Sequence, residues 1–201
     1  MIFAIPPRKC YNTEYLAYWE DFLLEEDYLY LNSLSGWKET EKGKIGGGLN
    51  DEQYNPEIRN SKVTWLDLEE DNVELWKRII TTIAEVNRRF FHFDLTGCYE
   101  RIQLSEYDQT DQGHYSWHTD DSIEDSSSVP RKLSMALLLS NPEDFEGGLL
   151  QVKTNNDEPL TLEMKKGRAW FFPSFVLHRV SPVTKGKRRS LVLWVGGPQF
   201  R

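Results

Sequence analysis

From Cys98 to Val195 the chain is a succession of short apolar segments, each bounded by turn residues. CYERIQLSEY, RKLSMALLLS, LLQV, PLTLEM, RAWFF, HRV and RRSLVLWV are too short for stable helices and read as strands. About seven such strands cannot stand alone, because each sheet must bury an apolar face against a second layer. One long amphipathic segment precedes them. In NVELWKRIITTIAEVNRRFFHF, Leu75, Ile79, Ile83, Val86 and Phe90 recur at helical spacing, with Asp71 as the expected N-cap. EEDYLYLNSL, residues 25–34, reads as a shorter helix stopped by Ser35-Gly36. The expected class is α+β, with a β-sandwich or barrel core beside helices.

At 201 residues the chain is long enough for one well-buried core, so a single domain over 1–201 is expected. Seven Trp, nine Tyr and ten Phe suit a large core and an aromatic-lined cleft. The net charge of -8 argues against a nucleic-acid partner, which calls for a basic face. MIFAIPPRKCYN lacks the basic start and apolar run of a signal peptide, and no stretch matches a membrane span. The expectation is a soluble, cytoplasmic protein with no membrane partner. Cys10 and Cys98 have no CxxC spacing and read as free thiols of a reducing compartment. Residues 38–62, with Gly46, Gly47, Gly48 and Pro56, read as a long polar loop. With the Ser-rich stretch 121–131 it is a candidate to close over a substrate.

HYSWHTDDS, residues 114–122, holds two of the four histidines. Positions i and i+2 share a face on extended chain but point apart on a helix. His118 and Asp120 can therefore hold one ion only if both lie on extended chain. Alone, the pair also fits a surface coincidence. His178 follows the apolar run RAWFFPSFVL and reads either as a third ligand or as a hydrogen-bonded core histidine. His92, at a helix end, reads as structural, and His114 is placed in a turn. Two imidazoles and one carboxylate make the facial triad of non-haem Fe(II) oxygenases, and zinc accepts the same donors. Arg188 lies ten residues past His178, with Pro182 and Gly186 between. A hairpin there would return Arg188 to the metal, with Ser190 on the same strand face. A buried guanidinium needs an anion, and a dicarboxylate suits its planar fork. The alternative is that Arg188 and Arg189 are two solvated residues after a basic turn.

In combination, YDQTDQGHYSWHTD, RKLSMALLLSNPEDFEGGLLQV, GRAWFFPSFVLHRVSPVTKGKRRSLVLW and EIRNSKVTWL resemble the prolyl 4-hydroxylase-like 2-oxoglutarate- and Fe(II)-dependent dioxygenases. The short prolyl/lysyl-hydroxylase-domain type of bacteria and viruses is the nearest in pattern. The resemblance spans about Arg59 to Trp194, with a core at about 59–196. It implies a double-stranded β-helix, or jelly roll, buttressed by N-terminal helices. It implies His118, Asp120 and His178 as iron ligands and Arg188 as the partner of the distal carboxylate of 2-oxoglutarate. Tyr107 resembles the tyrosine that hydrogen-bonds the co-substrate, with Tyr115 the alternative. Ser134 and Ser190 fall where hydroxyls support the same ligand. The glycines of Glu146-Gly147-Gly148 fit a tight turn with a structural role. The implied cofactors are Fe(II), 2-oxoglutarate as co-substrate, and O2, with ascorbate as an accessory reductant. The implied reaction is hydroxylation of a C–H bond, most readily of a peptidyl proline, with release of succinate and CO2. A retained Asp120 points to hydroxylation, because halide replaces that carboxylate in related halogenases. The partner is then a peptide or protein. Two alternatives stay open: a hydroxylase of a free amino acid or other small molecule, and a non-catalytic metal-binding jelly-roll module.

Overall fold

The computed structural model describes residues 14–34, 37, 40–45, 54–121, 129–154 and 158–198. The triple glycine, Cys10, the N-terminal run and most of the Ser-rich stretch lie outside the described residues. In chain order the elements are β1 (Ala17–Trp19), α1 (Glu25–Ser33), β2 (Glu41–Lys42), β3 (Arg59–Asn60), β4 (Lys62–Leu66) and α2 (Val73–Val86). Then follow β5 (Ile102–Asp108), β6 (His114–His118), β7 (Arg131–Leu138), β8 (Phe145–Gly147), β9 (Leu150–Val152), β10 (Leu160–Thr161), β11 (Ala169–Pro173), β12 (His178–Val180) and β13 (Val183–Gly196).

Among the described residues, the larger sheet runs β1-β11-β7-β13-β5-β4-β2, with β8 added to β13. The smaller sheet runs β10-β9-β12-β6-β3. All the pairings are antiparallel, and from β5 onward the chain passes repeatedly between the sheets. This is a double-stranded β-helix, as expected.

The period-2 pattern explains how the larger sheet is buried on both faces. Ile102 and Leu104 of β5, Leu133, Met135 and Leu137 of β7, and Leu191, Leu193 and Val195 of β13 form one face. Leu75, Ile79, Ile83 and Val86 of α2 pack in the same cluster. Tyr107 of β5, Ala136 of β7 and Val183 at the start of β13 belong instead with Leu150, Val152, Phe172 and Val180 in the interior between the sheets. Seven largely buried residues in β5 thus serve two different cores. Asp27 of α1 accepts two bonds from Arg78 of α2, at 2.7 and 2.6 Å, which ties the helices together.

Four expectations change. The stretch 38–62 is not one loop, since β2 and β3 pair with β4 and β6 at sheet edges. Asn72, in place of Asp71, is the residue preceding α2, and Asp71 belongs to a short 3-10 turn before it. His114 opens β6 rather than sitting in a turn. β12 and β13 do not form a hairpin, because they lie in different sheets. The chain crosses between layers at Ser181-Pro182, so Arg188 faces the site from the opposite wall. No described helix is long and apolar enough to cross a membrane.

Candidate metal centre and co-substrate pocket

His118 ends β6, and its direct ladder partner is His178 at the start of β12. Paired residues on adjacent strands project from the same face. The two rings therefore meet, with centroids 4.1 Å apart. Asp120 lies two residues beyond the strand on a segment anchored by the Ser174 carbonyl. That oxygen accepts from the Asp120 amide at 2.8 Å and from the Asp121 amide at 3.1 Å. The Asp120 carboxylate then faces both imidazoles: Oδ1 is 3.8 Å from His118 Nε2 and Oδ2 is 3.5 Å from His178 Nε2. One donor atom from each of the three residues lies within 4.8 Å of the others.

The histidine tautomers follow from the backbone. His118 Nδ1 lies 2.8 Å from the Ser116 carbonyl, and His178 Nδ1 lies 2.9 Å from that of Val176. A carbonyl only accepts, so Nδ1 carries the proton and Nε2 presents its lone pair to the centre. Burial, reinforced by the neighbouring His178, pushes the His118 pKa down to about 4. Neutral imidazole is the metal-binding form. Burial alone would raise the Asp120 pKa. His178, His118, Arg131 and the Ser134 hydrogen bond outweigh it and hold the carboxyl below its ordinary value. Two neutral imidazoles and one ionised carboxylate form a donor set that fits a divalent first-row ion.

Ser134, in the middle of β7, donates to Asp120 Oδ2 at 2.7 Å and lies 3.0 Å from Ser174 Oγ. Its hydroxyl proton is thus given to the acid. Arg131 adds a bond to the Asp120 carbonyl at 3.3 Å, pairs with Glu100 and lies over the Trp194 ring at 3.9 Å.

Arg188 enters from β13 and is 1% exposed. Its Nη1 donates to Ser190 Oγ at 2.9 Å, on the same strand face. Its guanidinium lies 5.3 Å over the ring of Tyr107, its ladder partner on β5. Nε is buried without a partner, and among the described residues no carboxylate pairs with this cation. Burial depresses its pKa, as a low-dielectric surrounding disfavours the charged form. Arg189 differs: it points outward to Glu106 at 2.8 Å and stacks on Trp37. Gly148 has φ +58, and a Cβ there would come within 2.8 Å of Arg188 Cδ. The glycine pair thus does more than turn the chain, because its second member shapes the Arg188 wall.

Tyr107 belongs to the apolar cluster between the sheets, with Phe172 and Val183. Phe172 in turn touches His178, at 4.8 Å between ring centroids. Tyr115 stacks on His118, at 3.5 Å and 14°. His114 is elsewhere, held by the carbonyls of Gln112 and Glu57. Arg59, whose guanidinium covers the Tyr115 ring at 4.7 Å, was not singled out from the sequence. The only signal for it there was its position in the weaker motif EIRNSKVTWL.

Residues 102–196 match the family model of the 2OG-Fe(II) oxygenase superfamily. A PKHD-type hydroxylase of Parvibaculum lavamentivorans is 41% identical over 95 residues, covering 47% of this chain and 41% of the relative. One from Idiomarina loihiensis is 37% identical over the same length and with the same coverage. The chain thus spans less than half the length of these relatives. Among solved structures, a Pseudomonas putida prolyl-4-hydroxylase superposes with a TM-score of 0.68 at 20% identity, covering 92% of this chain and 94% of that one. A viral collagen prolyl hydroxylase of Paramecium Bursaria Chlorella virus-1, in a 2OG complex, gives 0.66 at 22%, covering 92% and 97%. A prolyl hydroxylase of Trichoplax adhaerens, in complex with a hypoxia inducible factor peptide fragment, gives 0.69 at 18%, covering 90% and 83%. Fold, donor cluster and sequence match agree: residues 102–196 are similar to the 2OG-Fe(II) oxygenase superfamily, and the chain folds as the jelly roll seen in these solved structures.

Proposed function

We propose that this protein is a Fe(II)- and 2-oxoglutarate-dependent dioxygenase that hydroxylates a C–H bond, with peptidyl proline as the favoured substrate and the cytoplasm as its location. The observation that carries the reading is a His-Asp-His donor cluster on one wall and, on the other, a buried arginine with no carboxylate partner among the described residues. His118, Asp120 and His178 hold Fe(II). Arg188, braced by Ser190, takes the distal carboxylate of 2-oxoglutarate, which gives the buried cation the anion it lacks. When bound, Fe(II) with 2-oxoglutarate and O2 supplies the oxidising power, and the co-substrate leaves as succinate and CO2.

The chain's own work is positional and electrostatic. The strand carbonyls fix both imidazoles, and Ser134 fixes the carboxylate. Phe172, Val180 and Val183 keep water from the space between the sheets. Tyr107 lines the co-substrate side beneath Arg188, and Tyr115 lines the metal side against His118. The name hydroxylase on the relatives, and the peptide in one structural neighbour, support a peptide substrate.

The test is anaerobic addition of Fe(II) and then 2-oxoglutarate, watching for a visible charge-transfer band. The expected result is a band in the wild type that is lost or weakened in Asp120→Ala and Arg188→Ala. Folded, metal-loaded protein with no band would overturn the reading in favour of a metal-binding module. Prolyl peptides against free amino acids, scored by succinate release, then separate the substrate classes.

A further inference from the structure

Arg59 is a second buried cation in the same cleft. It is 7% exposed, on the edge strand β3. Its Nε donates to Ser61 Oγ at 2.9 Å and its Nη1 to the Lys44 carbonyl at 3.1 Å. Both acceptors are neutral. Nη2 is buried with no hydrogen-bond partner, and among the described residues no carboxylate pairs with this guanidinium. A buried charge left in that state is costly, and a native orphan of this kind calls for an explanation.

Its position supplies one. Arg59 and Tyr115 are ladder partners, so both side chains leave the inner face of the smaller sheet. Tyr115 has His118 stacked on one side of its ring, so the Arg59 guanidinium, 4.7 Å away, occupies the other. Arg59, Tyr115 and His118 therefore form a continuous stack that ends at the metal centre. Arg188 stands on the opposite wall, in the larger sheet beside Tyr107. Two guanidinium groups on two walls, neither with a carboxylate partner among the described residues, call for two anions. 2-Oxoglutarate accounts for one. The net charge of -8 makes the protein as a whole repel anions, so a second anionic ligand needs a local anchor of this kind.

We propose that the substrate undergoing hydroxylation carries a carboxylate, and that Arg59 receives it. This rests on the oxygenase reading above and narrows its substrate class. The carboxylate belongs either to a free amino acid or to an acidic side chain next to the target residue of a peptide. Arg59 would set which carbon faces the metal, acting as a binding and specificity residue. Tyr115 would form the surface between the anchored carboxylate and the reacting carbon.

The test uses the full chain with Mn(II) as a redox-silent metal and 2-oxoglutarate, followed by calorimetric titration. Uptake of 2-oxoglutarate is measured first, and its failure would overturn the oxygenase reading itself, whatever Arg59 does. The probes are the free L-amino acids with their carboxamides, and acetylated, amidated Ala-Pro-Glu-Pro-Ala with its Gln counterpart. An acid probe is expected to bind the wild type roughly 10- to 100-fold more tightly than its amide, as loss of a charged hydrogen bond would give. Whether the free amino acids or the Glu peptide show the difference identifies the source of the carboxylate. Arg59→Gln should bind acid and amide alike while taking up 2-oxoglutarate as before, and that unchanged uptake certifies the folded variant. Arg59→Lys should retain part of the preference. Equal binding of acid and amide by the wild type would overturn the proposal without reference to any variant. So would the absence of binding by every acid probe in protein that takes up 2-oxoglutarate, or a preference that survives in Arg59→Gln.

Discussion

Ser134 Oγ donates to Asp120 Oδ2 at 2.7 Å, from a fully buried position in the centre of the larger sheet. The acid sits on the chain leaving the smaller sheet, so this bond joins the two walls at the metal centre. Without it, the carboxylate loses one of the groups that keep it ionised in a buried place. Ser134→Ala should weaken Mn(II) or Fe(II) binding roughly 10- to 100-fold, the usual cost of removing an outer hydrogen bond from a metal ligand. Metal titration of the apo-protein checks this, and Ser134→Thr separates loss of the hydroxyl from overpacking.

Gly148 should be equally intolerant for a different reason. Its φ of +58 already disfavours a side chain, and a Cβ would press on Arg188 Cδ and Val183 Cγ2. Gly148→Ala should lower stability by about 1–2 kcal/mol through backbone strain. It should also lower 2-oxoglutarate affinity with the metal affinity unchanged. Urea unfolding and paired ligand titrations read these three quantities separately.

Arg188 is a case of function set against stability. Its charge is desolvated, and among the described residues its hydrogen bond is to Ser190. Replacing it by Met fills similar space without the charge, so apo-protein stability should rise by about 1 kcal/mol or more. Binding of 2-oxoglutarate should fall at least 100-fold in the same variant, in line with about 3 kcal/mol for a charged hydrogen-bonded pair. Chemical unfolding of metal-free protein and calorimetry give the two numbers.

Cys98 is the free cysteine among the described residues. Burial, with a smaller contribution from Glu100, pushes its thiol up to about 12. The nucleophilic thiolate is therefore scarce at pH 8. In a Cys10→Ser background, a disulfide reagent should label Cys98 slowly in the native state and rapidly after unfolding in urea. Fast native labelling would show that the packing around Cys98 opens.

The strands were legible because turn residues punctuate them, and HRV at 178–180 coincides with β12. The pairing of His118 with Asp120 was readable because extended chain gives positions i and i+2 a shared face, whereas His178 joined them only through the family resemblance. What the pattern could not give was pairing across the sheets. The route of Arg188 was misread because a turn near Pro182 serves a hairpin and a crossing between layers equally well. Ser134 could not be matched to Asp120, since the acid reaches it only by folding back over 14 residues. Arg59 stayed hidden because an arginine in a polar, glycine-rich stretch looks solvated until β3 is seen paired with β6. Asp71 lost its role as a cap because the chain enters α2 through an extra turn.

The carbonyls that hold the two histidines belong to Ser116 and Val176, each two residues before the ring it fixes. The hydrogen bonds that aim the imidazoles are therefore made by the main chain and do not depend on the identity of a neighbouring side chain. Mutational drift around the centre can recolour the pocket, and so change what is admitted, while the reactive lone pairs stay aimed where they were. A scaffold of this sort separates the inheritance of chemistry from the inheritance of specificity.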